Sequence, residues 1–356
     1  IAQVFGNEAN DWLVKYINDF TNPNIYKTFD NFSQTSRVLR SHLATSALWL
    51  NLVTIAKQIP SGALYLGYAG PHNMAAAAGQ FLLDPLGTIE LVESLDPQVK
   101  NRSFSRFTEE LKTLDKNTYE RIVAAGGRIG MLGIAVADKV TVTIGWLAVY
   151  NKSKAAGMSE SEARWAAQEA TLATQPAARA KDLAQIYRTS EGFNWLLMFS
   201  NQLNQIWNMT TYDIPNAIRK GNIPMASLQA LGIIVSGLAI ASISMRRLPE
   251  DEKEVGEAIL MQLISGIPLF GGNIKSGLDG WWGTGVDPVP AAKSFGAAIR
   301  AWTSDGDEEK RMKAAGRLLL DLFITMGLPT VQPRRAYKAI KNKDAWELIG
   351  GPPEEK

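Results

Sequence analysis

Two histidines, no cysteine and 35 acidic residues are the chain's stock of metal-binding and acid–base chemistry, and their spacing does little to concentrate it. His42 sits where a polar helical pattern turns apolar, and His72 follows Gly70–Pro71 and serves a turn. Neither has a second ligand at the H-E-x-x-H spacing that puts two imidazoles on one helix face, so no metal is expected. Without cysteine there is no thiolate nucleophile, no disulfide and no cysteine-ligated zinc or iron–sulfur cluster. Carboxylates pair at Glu109–Glu110, Glu250–Glu254 and Asp307–Glu309, all in charged, solvated runs. A general acid needs the opposite setting, an apolar pocket that raises its pKa. Lys275–Ser276 follows two glycines, but Ile274 stands where a phosphate cradle needs glycine and no strand leads in. No G-x-S-x-G elbow is present. Asp138–Lys139 is unusual because it interrupts an apolar helix; a buried pair or an interhelical bridge is expected, with a functional charge as the alternative. These residues imply no catalytic residue, no cofactor and no small-molecule substrate.

What the sequence does concentrate is apolar helix. Asn222 to Met245 carries no formal charge, with Arg219 and Lys220 before it and Arg246 and Arg247 after it. That is long enough to cross a bilayer core. Small residues recur four apart in it, notably Gly232 with Ser236 and Gly237 with Ala241, a spacing that lets a second backbone approach closely in lipid or in a dry core. It is either a membrane span or the central buried helix of an all-helical body, and Gln229 and its serines favour the latter. Trp281–Trp282, in a glycine-rich loop, are candidate membrane-interface anchors. Arg246, Arg247, Arg334, Arg335, Lys338 and Lys341 are candidates for contact with anionic lipid or phosphate; the alternative for the last helix is a solvated face with Ala336, Tyr337 and Ile340 turned inward. Net charge is +2, so no global field points to nucleic acid, although such contact is not excluded.

These residues need a helical frame, and the pattern supplies one. Hydrophobic residues make up 46% and charged residues 20% of 356, apolar-leaning but short of a polytopic membrane protein. Periodicity predicts an all-α fold, a large irregular multi-helix bundle of about a dozen or more helices with one or more very apolar helices in the centre. The first helix has Trp12, Leu13, Tyr16, Ile17 and Phe20 on one side. A second runs from about Asn31 to Ile59 and stops at Pro60. Two short helices flank the turn Gly70–Pro71. Arg128 to Lys154 is helical despite a locally strand-like Val140, Val142, Ile144. Gly157 ends it, and Ser159 with Glu162 forms a capping box before an alanine-faced helix in which Glu160, Arg164 and Gln168 are solvated. Asn194 to Asn208 interleaves amides with Trp195, Phe199, Leu203, Ile206 and Trp207; with Trp49 and Trp146, these tryptophans belong to the core. Pro249 starts a further helix at its first position, with acids on the positive end of the dipole. Gly126–Gly127 is the expected hinge, dividing an N-terminal helical subdomain (1–126) from an apolar helical core subdomain (127–348), with a loose polar tail at 349–356. Because the first residue is Ile1, the chain is expected to be a fragment or processed piece of a longer polypeptide.

Seven stretches, in order over nearly the whole chain, together resemble one family. They are SALWLNLVTIAKQIPSG (Ser46 to Gly62), LDPQVKNRSFSR (Leu95 to Arg106), GMSESEARWAAQEAT (Gly157 to Thr171), FNWLLMFSNQLNQIWN (Phe193 to Asn208), ISGIPLFGGNIKSGLDG (Ile264 to Gly280), VDPVP (Val286 to Pro290) and MGLPTVQPRR (Met326 to Arg335). The chain looks like the helical large polyvalent protein-associated domains found toward the C-terminal end of very long proteins of tailed phages. The resemblance implies an internal virion protein, packaged in the phage head, ejected with the genome and acting at the host cell envelope. Its expected partners are other virion proteins, copies of itself and host membrane lipid. No catalytic residue comes with the family, since enzymatic work is carried by other domains of such polypeptides. A soluble scaffold or docking module inside the capsid is the alternative, and an enzyme acting on peptidoglycan or nucleic acid is a third reading.

Overall fold

A computed structural model describes residues 51–100, 102, 118–176 and 201–265, with a few positions near each end, among them Gly6, Asn10, Arg335, Lys338 and Ile340. Among the described residues the protein is all-α, without a strand.

The chain enters through α1 (Leu52–Ala56) and a 3₁₀ segment (Ile59–Tyr65), which leads directly into α2 (Leu66–Ala69). Pro60 does not stop a helix here; it lies at the start of the 3₁₀ turn, where its missing N–H would have no partner anyway. Gly70, at a positive φ of 76°, turns the chain into α3 (Pro71–Leu83), as the Gly-Pro pair predicts. α4 (Pro85–Leu95) follows at once, because the Asp84 carboxylate accepts from the Gly87 N–H at 2.9 Å and caps it. α5 (Pro97–Lys100) is a single turn capped by Asp96.

α6 (Thr118–Ala155) is the long central helix. It runs unbroken through Gly126–Gly127, so the expected hinge is continuous helix and a division at 126/127 falls inside one element. Glycine costs a helix only about 1 kcal/mol relative to alanine, too little by itself to break one of 38 residues. Gly157 at φ 85° ends the turn, and the Ser159–Glu162 capping box opens α7 (Glu160–Thr174). The alanine face predicted there is buried: Ala163, Ala167 and Ala170 have no exposed surface and let α7 lie close along α6. Arg164 pairs with Glu160 one turn back on the outer side.

α8 (Asn201–Asn208) widens into a π-helical turn (Met209–Asp213) before α9 (Ile214–Arg219). Pro215 explains the bulge: its ring would strike the carbonyl four residues back and it donates no N–H, so the helix widens instead. α10 (Ile223–Met245) is capped by Asn222, whose side chain accepts from Met225 N–H at 3.3 Å. α11 (Glu252–Ser265) begins three residues later than Pro249, correcting the expected start. Glu254 reaches back to accept the Glu250 N–H at 3.0 Å, and Asp251 caps Glu254 N–H at 2.8 Å, so residues 249–251 are held as a loop.

Two cores result. The larger gathers Tyr65, Val92, Val142, Trp146, Leu147 and Val149 with the alanines of α7, and the smaller gathers Leu64, Ile206, Met209 and Ile233. Successive residues of one segment, Leu64 and Tyr65, face different cores, and Tyr68 touches both. The 3₁₀–α2 segment is thus a wedge between α6 and α10, and packing crosses the expected subdomain boundary.

Candidate packing and envelope-contact surface

Of the small residues singled out on α10, Gly232 faces that wedge and Gly237 faces α11. Gly232, Ser236 and Gly237 are buried, while Ala241, a turn further on, is half-exposed. Gly232 is a close-approach position: a Cβ there would stand 2.5 Å from the Ala63 carbonyl oxygen and 3.3 Å from Leu64 Cα. A Cβ on Gly237 would stand 2.9 Å from Gln262 Cβ, on α11. Gly67 receives the side chain of Gln229 in the same way. Helix α10 therefore seats by backbone approach, which small residues at this spacing allow.

Its other side is open. Leu231 and Val235 lie exposed one turn apart, and Ile223 lies exposed two turns before Leu231. Two helices of the described chain are long and apolar enough to cross a membrane, and they are treated differently: 61% of the apolar window of Met131–Ala155 is buried, against 28% for Ile223–Met245.

The flanking cations divide as well. Arg247 grips Glu254 through two 2.8 Å hydrogen bonds and lies 3.7 Å from Glu250, so it closes the α10–α11 loop. Arg246 ends α10 in the left-handed conformation at φ 60°, half-buried. Arg335 is drawn near enough to Arg246 that the second positive charge, added to burial, pushes its pKa down; its Nη1 is buried without a hydrogen-bond partner. Lys338 is exposed on the same helical stretch. Trp281, Trp282, Arg334 and Lys341 lie outside the described residues, as do His42, Trp49, Trp195, Glu109–Glu110, Lys275–Ser276 and Asp307–Glu309.

Asp138 and Lys139 do not pair with each other. Asp138 is buried and holds Arg102 Nε at 3.0 Å, while Arg102 Nη2 also donates to the Pro176 carbonyl at 2.5 Å. Lys139 pairs with Glu93 of α4. Lys139–Glu93 is an interhelical bridge, and Asp138–Arg102 is a buried pair that ties α6 to the chain after α5. Sequence reasoning missed three further buried ties. Trp146 Nε1 donates to Asp96 Oδ2 at 2.9 Å, and the indole stacks on Tyr150 with ring centroids 5.1 Å apart. Tyr65 donates to Thr171 at 3.0 Å, and burial pushes its phenol up to about 12. Gln175 bridges to Ser61 through both its oxygen and its nitrogen at 3.0 Å. Of these residues only Asp96 stands beside a local signal, the proline at 97.

One polar cluster borders the smaller core. Tyr68 donates a long 3.5 Å bond to Asp213 at the end of the π turn, and desolvation raises the Asp213 pKa. Gln229, without exposed surface, lies beside it, yet neither its oxygen nor its nitrogen meets a partner at hydrogen-bonding geometry. Among the described residues no group of three or more His, Asp or Glu side chains could hold a metal. No family model matches this chain, and no curated protein or solved structure is significantly similar to it.

Proposed function

We propose that the chain is a non-enzymatic helical module that works by presenting and repacking apolar helix faces, as an internal virion protein ejected with a phage genome would at the host envelope. The observation that carries this reading is α10: an uncharged helix of membrane-spanning length, seated on one side by small residues and exposed on the other. In the whole chain we infer an irregular bundle of a dozen or more helices around α6 and α10. The module is held folded in the virion interior, then set against other virion proteins, further copies or envelope lipid after delivery. The sequence resemblance supports that setting, and no cofactor or substrate enters it.

The test is flotation of the purified chain with liposomes, with and without anionic lipid, together with release of an entrapped dye. Binding weakened by Leu231→Lys and Val235→Lys is the expected result. A monodisperse protein that never floats, at any pH or lipid composition, overturns the envelope reading and leaves the soluble scaffold, which the deeply tied α6 favours.

A further inference from the structure

Gln229 is a fully enclosed amide that the fold does not use. It has no exposed surface, yet neither its oxygen nor its nitrogen meets a partner at hydrogen-bonding geometry. The Tyr68 hydroxyl that it approaches donates instead to Asp213, at 3.5 Å. An enclosed amide without good partners leaves its desolvation uncompensated, and an apolar side chain of similar size would not. The residue is therefore a cost to the fold, and its use has to be sought in another setting of α10.

The surroundings of Gln229 on α10 say what that setting is. Ala226, Gln229, Ile233 and Ser236 are buried at spacings of three and four, which puts them on one helix face, with Gly232 beside them. Gly67 takes the Gln229 side chain, and Ala63 and Leu64 lie against Gly232, where a Cβ would stand 2.5 Å from the Ala63 carbonyl oxygen. Another helix can come as close to that bare backbone as the wedge does. In hydrocarbon the amide has no water, so its oxygen and nitrogen need partners on a neighbouring helix. A second α10 offers both, because a primary amide donates and accepts, and two glutamines across a two-fold axis satisfy each other. Copies entering from one side of a bilayer lie parallel, which sets Gln229 against Gln229 and Ser236 against Ser236.

We propose that α10, once in a bilayer, pairs with the α10 of a second copy of this chain through the face that Gln229 and Gly232 seat on the wedge, with Gln229 bonded to Gln229 across the pair. This rests on the envelope reading and names what α10 meets there. The wedge and the second copy compete for one face, so pairing follows release, and chains with α10 in its seat do not pair this way. The contact is isologous, so it closes as a two-fold pair.

The chain has no cysteine, so single introduced ones report position. Three full-length variants, each checked for unchanged melting, carry Ser236→Cys or Ala226→Cys on the seating face and Leu231→Cys on the exposed one. They are oxidised with copper phenanthroline, with and without liposomes of phosphatidylcholine and phosphatidylglycerol. A disulfide needs Cβ atoms within about 4.5 Å, so dimers on a non-reducing gel show which face meets its copy. Protection of Leu231→Cys from a membrane-impermeant maleimide measures how much α10 has entered. The expected result is a protected Leu231→Cys that gives no dimer, and dimers of Ser236→Cys and Ala226→Cys with liposomes only. Gln229→Leu lowers the Ser236→Cys dimers per inserted chain about three- to tenfold, as loss of an interhelical hydrogen bond in lipid would, and Gln229→Asn, which keeps the amide, lowers them less. Insertion is measured for the same Gln229 variants in the Leu231→Cys chain. Protected chains without dimers, dimers from both faces alike, or a yield indifferent to Gln229→Leu overturns the proposal and leaves the envelope reading standing. A Leu231→Cys that stays reactive beside liposomes overturns both.

Discussion

Replacing Gly232 by alanine tests whether α10 is seated by backbone approach. The new methyl would sit 2.5 Å from the Ala63 carbonyl oxygen and 3.3 Å from Leu64 Cα, and both obstacles are backbone. No side chain can swing away, so α10 or the 3₁₀ wedge has to move by several tenths of an ångström. Overpacking of this kind costs roughly 1–3 kcal/mol, and backbone obstacles put it at the upper end. Alanine returns about 1 kcal/mol of helix propensity. The expected net loss is therefore about 1–2 kcal/mol. Gly256 supplies the control: it lies exposed in α11 with nothing within 4 Å of its would-be Cβ, so alanine there gains up to about 1 kcal/mol. Urea unfolding followed by helical circular dichroism separates the two by about 2–3 kcal/mol in opposite directions. If Gly232→Ala is as stable as Gly256→Ala, α10 is not seated on the wedge as described.

Further variants probe the ties. Asp138→Asn leaves Arg102 largely enclosed with only the Pro176 carbonyl, and removal of one member of a buried pair costs about 3–5 kcal/mol; urea unfolding checks it. Trp146→Phe orphans Asp96 Oδ2 and loses the indole's contacts, so it is expected to unfold about 2–4 kcal/mol more easily and to cut the blue-shifted part of the tryptophan emission. Asp213 has a native pKa raised by burial, so the native state holds its proton to higher pH than the unfolded chain does. The associated stability is present at low pH and is lost as pH rises from the unfolded value through the raised one. Asp213→Asn should remove that decline from a pH series of unfolding curves. The sign is reversed at Glu162, whose carboxyl is held below its usual range by the Ser159 hydroxyl and N–H. Its contribution is present above the unfolded carboxyl pKa and is lost as pH falls through the native one, a helical signal that Ser159→Ala abolishes.

Where local chemistry decides structure, the residues showed it. Ser159 with Glu162, Gly157, Gly70–Pro71 and Asn222 each mark a boundary because the cap or the positive φ is written in one or two residues. The alanine face of α7 was legible for the same reason: spacing along one helix is a local property. The π turn was not, because it follows from a proline acting on a carbonyl four residues back inside an otherwise regular pattern. Nor could the sequence assign partners. Asp138 stood out as a charge in an apolar helix, but that Arg102 meets it and Glu93 takes Lys139 depends on how α4, α6 and the chain at 102 converge. At Gly126–Gly127 the glycine pair suggested a break, and the backbone there is continuous helix, because two glycines cost a long helix little. The exposed leucines of the α3–α4 tip were hidden inside an uncharged run whose burial no pattern of period 3.6 could foretell.

The difference between α6 and α10 carries the functional argument further than hydropathy does. Both are apolar enough to enter a bilayer. Taking α6 out of this fold would break Asp138 from Arg102, Lys139 from Glu93 and Trp146 from Asp96, leaving charged or polar groups unpaired on both sides. Each buried charge so exposed to hydrocarbon costs several kcal/mol. Among the described residues, no side chain from Ile223 to Met245 ties α10 to another helix at hydrogen-bonding geometry; the hydroxyls of Ser242 and Ser244 return to their own helix at 2.8 Å. Gln229 approaches the Tyr68 hydroxyl but meets it short of good hydrogen-bonding geometry, so part of its desolvation cost, up to about 1–3 kcal/mol, is borne in the folded state. Replacing it with methionine keeps the chain that rests on Gly67 and removes the orphaned amide. We expect Gln229→Met to stabilise the fold by about 1 kcal/mol in urea and, by holding α10 in its seat, to slow dye release from liposomes. A variant that is more stable and yet releases dye faster would show that release does not require α10 to leave the wedge.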